Sequence, residues 1–206
     1  MHRLGVASAV AALTMLLAHT GQAQPVTYNT LNTQLCFGGF GCGTNQQTIG
    51  GANGINVRFE PIAASTVNPN PSTFGSLGDL IVSCAAGGTA CGMQSLNGLN
   101  LFINIAQTAP TAGSATLLAG AISGNVSGTM SSASILWPNP NAVQIGQIRY
   151  AILNNPLGLV PPSTNGGLTS IQATITNTVI PEPSTFVLLA AGLVALFFLP
   201  RRRRGA

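Results

Sequence analysis

"GLTSIQATITNTVI", residues Gly167 to Ile180, decides the fold. Ile171, Ala173, Ile175 and Val179 alternate with Gln172, Thr174, Thr176 and Thr178. Successive side chains of a strand point to opposite faces, so a period of two predicts one buried face and one wet, hydroxyl-rich face. The same period recurs upstream. "GINVRFEP" sends Ile55, Val57 and Phe59 inward and Asn56, Arg58 and Glu60 outward. "LNLFINIAQT" lines up Leu99, Leu101, Ile103 and Ile105 against Asn100, Phe102 and Asn104, and "LLAGAISGNVSG" spaces Leu118, Ile122 and Val126 between glycines. In "AVQIGQIRYAI", Val143 and Ile145 fall out of phase with Ile148, Tyr150 and Ile152, which predicts a bulge near Gly146.

Turn chemistry separates these runs: "NPNP" at Asn68 to Pro71, "PNPN" at Pro138 to Asn141, and "NNPLGLVPPSTNGG" from Asn154. Short alternating strands between such turns predict an all-β ectodomain over residues 24–178, an antiparallel β-sandwich or a jelly-roll-like fold. No stretch of it has a helical period, so helices are expected only in the flanking segments.

The chain carries seven Arg and no Lys against three acids, a formal net charge of +4. Arg3 and Arg201 to Arg204 lie outside the ectodomain, where Arg58 and Arg149 balance Glu60 and Asp79. A nucleic-acid surface needs a basic stripe to neutralise phosphates, and this middle has none. Both histidines, His2 and His19, also fall outside it. Serine nucleophiles there have neither histidine nor lysine as a base, so catalytic triads and Ser-Lys pairs are excluded. Glu60 and Asp79 satisfy a two-carboxylate glycosidase in number only, because Glu60 sits beside Arg58 and Asp79 reads as a turn residue at a strand start. No catalytic residue, cofactor or metal site is assigned; two isolated acids fall short of a calcium cage.

The four cysteines stand in two similar frames, "CFGGFGCG" from Cys36 and "CAAGGTACG" from Cys84. Spacers of five and six residues without histidine fit zinc poorly. In an exported chain they predict two local disulfides, Cys36–Cys42 and Cys84–Cys91. Trp137, at a strand end before "PNPN", is either a core edge or a platform for a sugar ring, with Tyr150 and nearby asparagines as helpers.

"MHRLGVASAVAALTMLLAHTGQAQP" opens the chain with Arg3, an apolar stretch to about Ala18, and small residues at Gly21 and Ala23. This pattern predicts a signal helix at residues 1–23, cut by a signal peptidase between Ala23 and Gln24. Residues 179–206 hold Pro181-Glu182-Pro183, Ser184 or Thr185 as helix cap, an apolar run from Phe186 to Leu199, and Arg201, Arg202, Arg203 and Arg204. The fourteen apolar residues cover roughly 21 Å, so a transmembrane helix over about 184–200 draws on its flanks and on arginine snorkelling. A plain tail anchor explains the helix and the arginines, but not the Pro-Glu-Pro triplet.

Triplet, short apolar helix and basic cluster, in that order, closely resemble the PEP-CTERM sorting signal of exported bacterial proteins. The resemblance covers Ile180 to Gly205. It implies an exosortase as processing partner, acting near Pro-Glu-Pro, and the envelope of a Gram-negative bacterium that makes extracellular polysaccharide. The inner membrane holds the helix before processing, and the cell surface or extracellular matrix is the destination. The expected protein is a non-enzymatic structural or adhesive component. The alternative is an exopolysaccharide-binding module that uses Trp137, and a glycosidase is a distant third.

Overall fold

In a computed structural model, the described residues are 24–38, 44–116 and 120–178. Alternation is realised there as short antiparallel strands. In chain order they begin with β1 (Val26–Asn29), β2 (Gln34–Phe37), β3 (Gln46–Ile49), β4 (Ile55–Glu60), β5 (Ser65–Val67) and β6 (Ser72–Cys84). Then follow β7 (Gln94–Ser95), β8 (Leu99–Phe102), β9 (Asn104–Ala109), β10 (Gly113–Thr116), β11 (Gly120–Ser123) and β12 (Asn125–Val126). The last are β13 (Ser134–Leu136), β14 (Ala142–Ile145), β15 (Ile148–Ile152), β16 (Leu157–Gly158) and β17 (Leu168–Asn177). The only helical elements among the described residues are two 3-10 turns, Gly51–Asn53 and Asn165–Gly167. No helix there is long and apolar enough to cross a membrane. The expected signal helix and the transmembrane helix at about 184–200 lie outside the described residues.

The strands form a six-stranded sheet (β14-β15-β17-β6-β4-β3), a five-stranded one (β16-β13-β11-β8-β2), a four-stranded one (β10-β9-β1-β5) and the pair β12-β7. All pairings are antiparallel, as expected. Side chains from every larger sheet meet in one core, where Ile55, Val57, Phe59, Leu99, Leu101, Ile103, Ile105, Ile171, Ala173 and Ile175 are fully buried. Leu118 and Val179 lie outside the described residues. Tyr28 of the four-stranded sheet meets Tyr150 of the six-stranded sheet edge-on, with centroids 5.6 Å apart at 72°. At another point the Leu35 N–H donates to the Thr44 carbonyl (2.8 Å), tying the five-stranded sheet to the approach of β3.

The chain changes sheet between β8 and β9 without losing its alternation, because Leu101, Ile103 and Ile105 all stay in the core. Buried threonines serve the backbone groups that leave the ladder at such corners. Thr33 accepts from the Asn104 N–H (3.3 Å) and Thr30 from the Ile62 N–H (2.9 Å). An unpaired buried N–H would otherwise cost about 1–3 kcal/mol.

The phase break at Gly146 is a hairpin rather than a bulge. Ile145 pairs with Ile148 across the two residues Gly146 and Gln147, and Gly146 has φ +58°. A glycine of positive φ at the first central position marks the turn whose twist suits a two-residue hairpin. A bulge lies instead in β6: Ile171 faces Gly78 and Gln172 faces Ser76, leaving Leu77 extra. Gly78 has φ +126°, and a Cβ there would come within 2.5 Å of the Phe59 ring. The bulge lets Leu77 and Leu80, which alternation places on opposite faces, both reach the core.

Cys84, the last residue of β6, is bonded to Cys91 with Cα atoms 5.4 Å apart. Closing a loop of this length stabilises the fold by roughly 2.5 kcal/mol on chain-entropy grounds. Cys36 is likewise disulfide-bonded; Cys42, its expected partner, lies outside the described residues.

Candidate functional site

The outward face of the six-stranded sheet collects the charged chemistry of the described residues. Alternation along β4 sends Arg58 and Glu60 out, where they form an ion pair with side chains 47% and 45% exposed. Such an exposed pair contributes less than about 1 kcal/mol. Asp79 is not at a strand start, because β6 runs from Ser72 and the bulge at Leu77 turns Asp79 outward in mid-strand. Register places Glu60 directly opposite Asp79. Like charges so placed repel; Arg58 offsets one carboxylate, and the Ser170 hydroxyl donates to Asp79 Oδ1 at 2.6 Å. The two acids are therefore adjacent, which their sequence separation does not reveal. Among the described residues no group of three or more His, Cys, Asp or Glu could hold a metal ion.

Trp137 is 3% exposed, so its ring is part of the core and offers no open face to a sugar. It packs where Gly120 leaves room: a Cβ on Gly120 would come within 2.7 Å of the indole. Asn155 holds the strand end in place, accepting from the Trp137 N–H (2.9 Å) and donating to its carbonyl (3.0 Å). Tyr150 is fully buried as well, and its hydroxyl donates to Gln107 Oε1 (2.8 Å). Two aromatics among the described residues are exposed, Phe37 at the end of β2 and, more so, Phe74 on the outward face of β6. The signal of Phe74 in the sequence is "STFGS", a phenylalanine on the polar phase between small residues.

The buried tyrosines make stability depend on alkali. Burial raises the Tyr150 phenol far above the ordinary 10, and the negative charge of an ionised Tyr28 raises it further. Burial also raises Tyr28, opposed by a hydrogen bond with the Ser65 side chain. Between the unfolded and folded values only the unfolded chain loses these protons. Their contribution is thus complete below about pH 10 and is lost as pH rises through the folded values. The urea midpoint should be lower at pH 11.5 than at pH 8.5, with phenolate absorbance at 295 nm rising together with unfolding. Phenolate absorbance that appears without loss of the fold would contradict this.

Gln24 is exposed at the start of the described residues. Ala23, Pro181, Glu182, Pro183 and Arg201 to Arg204 lie outside them. In comparisons with known proteins, no curated protein and no solved structure matches the chain. The family model of the PEP-CTERM protein-sorting motif matches residues 179–203. Signals of this kind are processed by an exosortase and imply export, with a membrane anchor before processing. The chain carries a PEP-CTERM sorting motif, joined to all-β residues that match no named family.

Proposed function

We propose that the protein is a structural or adhesive component of the cell surface or extracellular matrix of a Gram-negative bacterium. A signal peptidase processes its start, and an exosortase takes it through residues 179–203. The observation that carries this reading is the sorting motif on a chain whose described residues form layered β-sheets, which we read as a sandwich. Few charges, a shared apolar core and a disulfide suit a passive module that persists outside the cell. Its two acids are occupied by Arg58 and Ser170 on an open face, an arrangement that suits surface solvation better than acid–base chemistry.

The test uses a strain lacking the protein. Antibody to the ectodomain should label intact wild-type cells, and the deletion strain should lose attachment or matrix cohesion until complemented. Intact cells that stay unlabelled, or a deletion strain that attaches normally, would reject the reading.

A further inference from the structure

We propose that the outward face of the six-stranded sheet around Phe74 binds a neutral polysaccharide, with the Phe74 ring as its stacking platform. This deepens the adhesive reading and rests on it only for the setting in which a glycan is met.

Phe74 is 67% exposed, the most exposed of the large apolar side chains among the described residues. Its position is held by the sheet. Thr174 lies directly opposite it on β17, flanked by the pairs Ser72 with Thr176 and Ser76 with Gln172. The neighbouring residue Gly75 faces the core, since a Cβ there would meet the Tyr28 hydroxyl and Ile175. β4 ends at Glu60 opposite Asp79, so the Ser72–Ser76 half of β6 is paired through β17 and lies beyond the end of β4. One aromatic face thus stands among hydroxyls and an amide, spaced about 4.8 Å across strands and roughly 6.8 Å along them.

That combination matches a sugar. A pyranose presents positively polarised C–H bonds on one face and hydroxyls around its rim. The negative face of an aromatic ring attracts the former, while Ser, Thr and Gln can donate to and accept from the latter. The charges argue for a neutral chain: Arg58 and Glu60 neutralise each other toward the other end, and Asp79 takes the Ser170 hydroxyl. Arg149, in register with Thr176, is a single cation rather than a basic patch. The apolar area argues against a second copy of the protein. A stable interface needs about 800 Å² from each partner with an apolar centre, whereas a covered aromatic supplies about 150–250 Å². Leu153, 44% exposed and bonded through its N–H to the Gln172 carbonyl, does not close that gap.

The experiment is affinity electrophoresis of the purified full chain in non-ionic detergent, run toward the cathode through gels containing dextran, xylan or hydroxyethyl cellulose. Retardation in at least one gel is expected. Phe74→Ser should weaken it at least tenfold, and Phe74→Trp should retain it. Leu31→Ser, which removes another exposed apolar side chain at a turn outside this face, should also retain it. Urea midpoints of all three variants show whether the fold is intact. Unretarded migration in every gel, or equal retardation of intact Phe74→Ser, would overturn the proposal. So would a dimer, seen by sedimentation, that Phe74→Ser dissociates. Because binding is measured on purified protein, a failure here is separate from a normal attachment phenotype in the deletion strain.

Discussion

Replacing Pro181, Glu182 and Pro183 together with alanine should leave the chain in the inner membrane, still carrying Arg201 to Arg204. The wild-type mature protein should lack those arginines. An apolar run with a positive flank is sufficient for insertion and orientation. A plain anchor would therefore be indifferent to the triplet. A processing enzyme needs an accessible stretch of extended backbone, and proline enforces it by fixing φ and withholding an N–H from helix or sheet. The residue before each proline is biased the same way. Intact-mass spectrometry of membrane and external fractions, in a host with an active exosortase, reads both outcomes. Mature wild-type protein that retains the arginine block would dismiss cleavage at this motif, even though residues 179–203 match it.

Trp137→Ala should destabilise the fold by about 3–5 kcal/mol, the usual cost of emptying a buried aromatic site. The indole fills space that Gly120 leaves open, and Ile135 packs at the same point. Alanine leaves a cavity that strands anchored on both sides cannot collapse. Its Nε1, buried without a hydrogen-bond partner among the described residues, offsets part of the loss, since removing it relieves an unsatisfied donor. Urea unfolding measures the effect, and a change below about 1 kcal/mol would show that the indole is not packed as described. Any loss of glycan binding in this variant would follow from unfolding, so it cannot identify a ligand contact.

The strands with one face in the core were legible. In β17 the inward phase runs through Ile171, Ala173 and Ile175, and in β4 through Ile55, Val57 and Phe59, all buried as alternation requires. The longest strand was not. β6 changes phase at Leu77, so local alternation describes two halves and presents Asp79 as a turn residue. The hairpin of β14 and β15 was hidden for a related reason: a two-residue turn and a bulge both shift the period by an odd step. Which sheet a strand joins was also beyond the pattern, since β8 and β9 keep one apolar phase across two sheets. The charged face depends on register. Glu60 and Asp79 become neighbours only when β4 pairs with β6, a relation between distant segments. Trp137 failed as a contact because a strand-end tryptophan is ambiguous until the small residue packed against it, Gly120, is known.

The placement of the two ectodomain arginines bears on survival among digestive enzymes. Trypsin-like cleavage requires lysine or arginine, and this chain has no lysine. Arg58 lies within β4, paired by β3 and β6, and Arg149 within β15, paired by β14 and β17. Neither strand is at the rim of its sheet. The proline- and asparagine-rich turns, where nicking ordinarily begins, contain no basic residue. A trypsin-like enzyme can reach a scissile bond in the ectodomain only after an inner strand has left its sheet, so the lifetime of the folded module against such enzymes is set by the free energy of that opening where reclosing outruns cleavage, and by the opening rate where it does not.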